Sequence, residues 1–106
     1  MAKYLFQVSY TAEGLKGVMK EGGSSRAEMV KRLTQGLGGQ IEAFYFAFGK
    51  YDVYMIADMP SNVDVAAVAM TVGASGAASV TTVVLLTPEE VDAATKRTVA
   101  YRAPGA

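Results

Sequence analysis

The chain has 106 residues and balances ten basic against ten acidic side chains, so no overall positive charge attracts nucleic acid or an anionic membrane. It contains neither cysteine nor histidine, which excludes disulfides and thiol chemistry and removes the most common general base and metal ligand. No run approaches the ~20 apolar residues of a membrane-spanning helix, and no signal-peptide pattern is present. We therefore expect one cytoplasmic domain with no metal and no other cofactor.

Three elements are predicted before residue 40. Alternating apolar and polar side chains predict a strand over Lys3–Tyr10, and Leu15–Lys20 predicts one or two helical turns. Ser25 and Glu28 form the capping-box pattern that starts a helix. This second helix is expected to end at a glycine pair, and its apolar residues recur at helical spacing: Met29, Val30, Leu33 and Leu37.

The aromatic-rich stretch Ile41–Met59 predicts two antiparallel strands joined by a two-residue type II′ turn at Gly49-Lys50. That turn places Phe46 opposite Val53 and Tyr45 opposite Tyr54, and it divides the hairpin into two faces. The face expected to lie under helices carries Phe44, Phe46, Phe48, Tyr51, Val53, Met55 and Met59. The other face mixes apolar and polar residues: Ile41, Ala43, Tyr45, Ala47, Asp52, Tyr54, Ile56 and Asp58.

The next helix is predicted to be apolar on nearly all sides. Ser61 and Asp64 mark its start, and the segment Val63–Val72 consists mostly of valine and alanine. A helix of this kind is buried on more than one side. In so short a chain we expect a partner subunit to cover the second side.

A fourth strand and a terminal helix complete the chain. The β-branched run Ala78–Leu86 predicts the strand. Thr87 followed by proline predicts a helix from Pro88 to about Thr98, with Val91 and Ala94 directed inward. The remaining tail is too short to fold alone, and it either frays or lies on a neighbouring molecule.

The order βαββαβ followed by a terminal helix predicts an α+β, ferredoxin-like fold with a four-stranded antiparallel sheet of order 4-1-3-2. Its helices cover only one face of the sheet. The other face is too apolar to remain in water, because an exposed patch of several hundred Å² marks an interface or a groove. Two such sheets that pack face to face would bury it, so a homodimer or higher homo-oligomer is expected.

The chain resembles the GYD-domain family over about residues 3–98. The landmarks of the resemblance, in order, are Tyr10-Thr11, Gly38-Gly39, the run Phe46–Asp52 and the run Leu86–Glu90. The family is named for the glycine, tyrosine and aspartate that stand here at Gly49, Tyr51 and Asp52. The resemblance implies a dimeric α/β-barrel, in which two ferredoxin-like sheets face each other. We accordingly divide the chain into a domain, 1–98, and a tail, 99–106.

Five residues are candidates for a ligand site on the uncovered face: Gln7, Ser9, Tyr45, Asp52 and Tyr54. Apolar walls with a few polar groups are typical of a small-ligand site, and equally of a semi-polar dimer interface. As a general base, Asp52 would need burial near the two tyrosines. As a structural group it would cap a helix, accept backbone N–H groups beside the turn, or pair with a basic residue across a dimer. The structural interpretation is favoured.

Four functions are compatible with this sequence. The first is a homo-oligomeric module that binds a small apolar or aromatic molecule, or a partner protein, between its sheets. The second is a cofactor-independent monooxygenase or isomerase that uses Asp52 with Tyr45 and Tyr54. The third, a heme protein, is disfavoured because histidine is absent. The fourth is a structural subunit of a larger complex, in which the helix Val63–Val72 contacts its neighbours.

Overall fold

The computed structural model describes residues 1–106, which form four strands and four helices. In chain order they are β1 (Ala2–Tyr10), α1 (Ala12–Glu21), α2 (Gly23–Gly36), β2 (Gln40–Phe46), β3 (Val53–Met59), α3 (Asn62–Ala74), β4 (Ala78–Leu85) and α4 (Pro88–Thr95). The strands form one antiparallel sheet in the order β2-β3-β1-β4. The predicted ferredoxin-like topology, 4-1-3-2, is thus confirmed.

Alternate side chains of the two central strands build the core. Along β3, burial alternates from residue to residue, as expected for a sheet that is covered on one side. The buried cluster on the covered side comprises Tyr4, Phe6, Val53, Met55, Ala57, Met59 and, from α3, Val65. Full burial of one such side chain stabilises the fold by about 1.5–3 kcal/mol. These side chains therefore hold the helices on the sheet.

The predicted register of the hairpin is confirmed near the loop, where Phe46 lies opposite Val53 and Tyr45 opposite Tyr54. Further along, a β-bulge between Ile41 and Ala43 shifts the pairing by one residue, so that Ile41 lies opposite the buried Ala57. Because a one-residue shift turns a side chain to the other face, Ile41 packs against the core. The prediction that Ile41 shares a face with Ala43 was wrong.

The hairpin loop is wider than the predicted two-residue turn. The last inter-strand bond of the hairpin runs from Ala47 N to Asp52 O, at 2.8 Å, and encloses four residues. Gly49 is not among the glycines with positive φ, which a type II′ turn requires, so that turn type was wrong. Phe48 is fully exposed, and the Tyr51 ring packs edge-on against Tyr54 on the other face. The wider loop thus removes both residues from their predicted core positions.

The first two helices start earlier than predicted. Thr11 caps α1, because its hydroxyl accepts a hydrogen bond from Gly14 N, and the helix fills the segment up to Glu21. A single residue, Gly22 with φ +89°, separates α1 from α2. The left-handed conformation of Gly22 starts α2 at Gly23 and leaves Ser25 inside the helix, so the capping box predicted at Ser25 was wrong.

Helix α3 confirms the predicted cap and corrects the predicted burial. The Ser61 hydroxyl accepts a hydrogen bond from Asp64 N at 3.3 Å. Within one chain, however, Val65 is the only buried residue of α3, and its alanines at 66 and 67 are exposed. The helix is therefore covered on one side only by its own chain. A partner on its second side stays a prediction.

The C-terminal helix projects away from the body of the molecule. The predicted capping box at Thr87 is confirmed, with Pro88 in the first turn. The helix nevertheless ends at Thr95 and buries no residue, so the inward direction predicted for Val91 and Ala94 was wrong. Short helices gain most of their stability from packing, and α4 makes no substantial contact with any other element. We call residues 86–106 the C-terminal arm.

The molecule is elongated for its length. Its radius of gyration is 17.0 Å, whereas about 13 Å is typical of a domain of this length. The principal dimensions, 57 × 32 × 23 Å, show the same elongation. None of the helices combines the length and the hydropathy that crossing a membrane would require.

Candidate functional site

The side of the sheet without helices forms a continuous surface, which we call the open face. Its residues alternate with the buried ones along each strand: Lys3, Leu5, Gln7, Ser9, Ala43, Tyr45, Tyr54, Ile56, Asp58, Thr81, Val83 and Leu85. Leu5 lies at its centre, paired with Ile56 on one side and Val83 on the other. A surface of this composition, uncovered by its own chain, is a candidate interface or binding site.

Most of the charge on the open face lies at one end. Lys3 Nζ donates to Glu42 Oε2 at 2.6 Å and to Asp58 Oδ1 at 3.1 Å. The hydrogen bond with Glu42 and, after it, the one with Asp58 hold the pKa of Lys3 above its ordinary value. The ionic group links strands β1, β2 and β3 at this end. At the other end, beside the hairpin loop, Lys50 Nζ lies over the Tyr51 ring, 5.6 Å from its centroid, and the centre of the open face is uncharged.

Four of the five predicted site residues lie on the open face, and three of these are direct neighbours. Gln7 lies opposite Tyr54 in the β1–β3 pair, and Tyr45 lies opposite Tyr54 in the β2–β3 pair. Tyr45 is 70% exposed and Tyr54 is 36% exposed, so both rings are available for contact. The structure thus brings an amide and two phenols side by side on an apolar surface.

The other two predicted residues, Ser9 and Asp52, attach the hairpin loop to the end of β1. Ser9 Oγ donates to the carbonyl oxygen of Lys50 at 3.3 Å. The carboxylate of Asp52 accepts a hydrogen bond from Tyr10 N at 2.8 Å, and the backbone N–H of Asp52 donates to Val8 O at 2.7 Å. Asp52 therefore satisfies backbone groups where β1 leaves the sheet. Its role as a catalytic base stays a prediction.

A cavity that the sequence did not predict lies on the helix side of the sheet, opposite the open face. It has a volume of about 70 Å³, and 14 of its 16 lining residues are hydrophobic. Its floor comes from β1 and β3, and its walls come from α2, α3 and β4. The spacing of Val30, Leu33 and Val68 identified them as apolar helix positions, but no sequence signal indicated that the two helices leave a gap between them. We call this cavity the helix-side cleft.

No group of three or more acidic side chains is arranged to hold a metal ion. The Asp58 and Glu42 carboxylates both bond to Lys3. Outside this ionic group, the polar side chains of the open face are Gln7, Ser9, Tyr45, Tyr54 and Thr81, of which Ser9 already bonds to the hairpin loop.

Fold and surface together define a small α+β protein with a ferredoxin-like sheet, one face of which is uncovered. Residues 4–95 match the family model described as the GYD domain, and the chain belongs to the GYD domain family. No curated protein and no solved structure gives a significant match.

Proposed function

We propose that this protein is a homodimer in which two sheets pack open face to open face and bind a small apolar or aromatic molecule between them. The observation that carries the proposal is the uncovered apolar surface around Leu5, Ile56 and Val83. Burial of such a surface between two subunits stabilises the dimer by about 25 cal/mol for each Å² of apolar area.

The exposed area of the chain supports association. The chain exposes 7347 Å², whereas a folded monomer of its mass, 11.2 kDa, exposes about 5,700 Å². The excess of about 1,600 Å² falls within the range of about 1,000–2,500 Å² that each partner contributes to an obligate dimer interface. The open face and the C-terminal arm both contribute to this excess.

The uncharged centre of the open face is compatible with a second copy as the partner. In a two-fold symmetric interface each surface meets itself, so a patch with net charge of one sign would repel its copy. The Lys3 group, with one lysine and two carboxylates, lies at one end of the face. The centre of the open face can therefore meet its own copy without like-charge repulsion.

The C-terminal arm extends the proposed interface. It leaves the sheet from β4, which is an edge strand, and its large apolar side chains are exposed: Leu86, Val91, Val99 and Tyr101. A segment that makes no substantial contact with its own chain gains stability only when it packs on another molecule. We propose that the arm packs on the partner subunit.

The proposed ligand site lies around Gln7, Tyr45 and Tyr54. Small-molecule sites combine apolar walls with a few polar groups that orient the ligand, and these three residues supply an amide and two phenols. The alternative, a cofactor-independent monooxygenase or isomerase, needs a carboxylate directed at the enclosed space. The hydrogen bond from Tyr10 N to the Asp52 carboxylate favours a binding protein over that enzyme.

Sedimentation velocity at micromolar concentration tests the dimer. The mass obtained for wild type should be twice that of one chain. The mass of the Ile56→Lys variant should be that of a monomer, because the substitution places a charge at the centre of the interface. Met19→Lys is the matched control, since Met19 is 79% exposed on α1, away from the open face. A monomeric wild type, or a dimeric Ile56→Lys variant, would contradict the proposal.

Fluorescence of 1-aminoanthracene tests the ligand site separately. The dye is small, aromatic and apolar, and it should bind the wild-type dimer at a saturable site. Tyr54→Ala should weaken this binding at least about tenfold, because stacking and burial on one aromatic ring contribute more than about 1.4 kcal/mol. Met19→Ala, on α1 and away from the open face, is the control. Equal affinity of the Tyr54→Ala variant and wild type would exclude this face as the site.

A further inference from the structure

The helix-side cleft exists because two helices stand apart. Helix α2 packs on β2 and α1, whereas α3 packs on β4 and β3, and the two helices make no substantial contact with each other. Side chains of the sheet, including the buried Phe6 and Met55, line the partly open space of about 70 Å³ between the helices. This space lies on the opposite side of the sheet from the proposed dimer interface. The dimer would leave it accessible.

The lining of the cleft suits an apolar molecule of adaptable shape. Apart from one arginine and one threonine, all of its lining residues are hydrophobic. Three of them are methionines, Met29, Met55 and Met59, whose unbranched, polarisable side chains fit ligands of different outline. The Thr34 hydroxyl donates to the Val30 carbonyl oxygen at 2.9 Å and is thus already bonded. Arg26 is the one charged group in the cleft.

Arg26 supplies an unpaired positive charge at the edge of this apolar space. It is half-buried, and no carboxylate of its own chain lies within ion-pair distance of its guanidinium. A guanidinium binds a carboxylate through two parallel hydrogen bonds, and this pair is strong when one side of it is shielded from water. Arg26 therefore makes the cleft complementary to an anion.

The surroundings of Arg26 limit the charge of that anion. Glu13 and Glu21 line a separate polar depression that shares Arg26 and Tyr10 with the cleft. Glu13 is paired with Lys16 at 3.5 Å, and neither glutamate bonds to Arg26. These carboxylates repel a ligand that carries several negative charges. A ligand with a single carboxylate meets the least repulsion.

We propose that the helix-side cleft binds a small apolar molecule with one carboxylate, such as a short-chain fatty acid whose tail fits a space of about 70 Å³. The carboxylate pairs with Arg26, and the apolar chain lies between α2 and α3 over Phe6 and Met55.

Methyl-resolved NMR tests this site with pentanoate and pentanol as probes. Pentanoate should shift the methyl resonances of Val30, Leu33 and Val68, which line the cleft, and should leave those of Leu5 and Val83 on the open face unchanged. Pentanol should shift the same cleft resonances with lower affinity, because it lacks the charge that pairs with Arg26.

Two arginine substitutions on α2 provide the matched comparison. Arg26→Gln should weaken pentanoate binding at least about tenfold and leave pentanol binding unchanged, because it removes only the charged pair. Arg32→Gln makes the same chemical change at an exposed position outside the cleft and should bind both probes as wild type does. Equal pentanoate affinity in the two variants would overturn the proposal.

Two other outcomes would also overturn it. The first is that pentanoate shifts no methyl resonance. The second is that it shifts only those of the open face, which would locate the ligand at the proposed inter-sheet site instead.

Discussion

The two faces of the sheet are built by the same strands, yet they have opposite surroundings. Along β3, Val53, Met55 and Ala57 are buried under helices, whereas the side chains between them, Tyr54 and Ile56, lie on the open face. Both sets are largely apolar. Apolar composition alone therefore does not say whether a residue stabilises its own chain, and on our account the covered face holds the monomer together while the open face serves assembly and binding.

The largest expected difference between the faces comes from neighbouring residues of β1. Phe6→Ala should lower the free energy of unfolding by about 3–5 kcal/mol, because it leaves a cavity in the core. Leu5→Ala, one residue away on the open face, should cost less than about half as much. Urea unfolding, followed by circular dichroism in an Ile56→Lys background, measures both changes without sheet association. Equal losses of unfolding free energy in the two variants would show that both faces contribute equally to the stability of the monomer.

A pair of glycines on α1 tests how closely the helices pack on the covered side. A Cβ at Gly14 would lie 1.9 Å from the carbonyl oxygen of Ala77, whereas a Cβ at Gly17 meets nothing within 4 Å. Gly14→Ala should therefore destabilise the fold by about 2–3 kcal/mol, and Gly17→Ala should stabilise it by about 0.5–1 kcal/mol. Thermal unfolding checks both. A neutral Gly14→Ala variant would show that α1 does not depend on this contact.

Asp52 joins the hairpin loop to β1 at the end of the sheet, where the two faces meet. Asp52→Ala should cost about 1.5–3 kcal/mol, because Tyr10 N loses a charged acceptor. Asp92→Ala on the exposed α4 is the control and should change stability by less than about 0.5 kcal/mol. Chemical denaturation compares the two variants. A stable Asp52→Ala protein that has lost 1-aminoanthracene binding would instead assign Asp52 to the ligand site.

The smallest expected effect is the change in folding stability with pH that Lys3 causes on the open face. Its folded-state pKa is raised above the ordinary value of 10.5, so its stabilising contribution is complete below about pH 10.5 and is lost as the pH rises through the folded-state pKa. The stability of wild type relative to Lys3→Met should accordingly fall in this alkaline range. Lys20→Met, at an exposed position without an ion pair, should show no such dependence.

The sequence predicted the strands, their order and most of their register because alternating burial in the sheet leaves a clear period of two. It did not predict the bulge before Ala43, because no residue type there marks one. It also assigned Gly49 to a tight turn, although the hydrogen bonds of Asp52 to β1 hold a wider loop and leave Phe48 exposed. In these cases contacts between distant segments decided the local structure.

Part of the candidate site could be predicted from the sequence and part could not, because some of its features depend on contacts between distant segments. Alternation alone predicted that Gln7, Tyr45 and Tyr54 share a face, and β-pairing places them side by side. The helix-side cleft depends on the distance between α2 and α3, which no periodicity encodes. The exposure of Val91 likewise depends on the direction in which the arm leaves β4.

The most direct test of the central claim is the accessibility of the open face to a soluble gadolinium chelate in methyl NMR. In one chain, Val83 on the open face is 38% exposed, and Val63 on α3 is 78% exposed. If two sheets pack together, the Val83 methyl groups should relax as slowly as those of the buried Val65, while the Val63 methyl groups relax fast. Fast relaxation of Val83, in wild-type protein at the concentration used for sedimentation, would contradict the account.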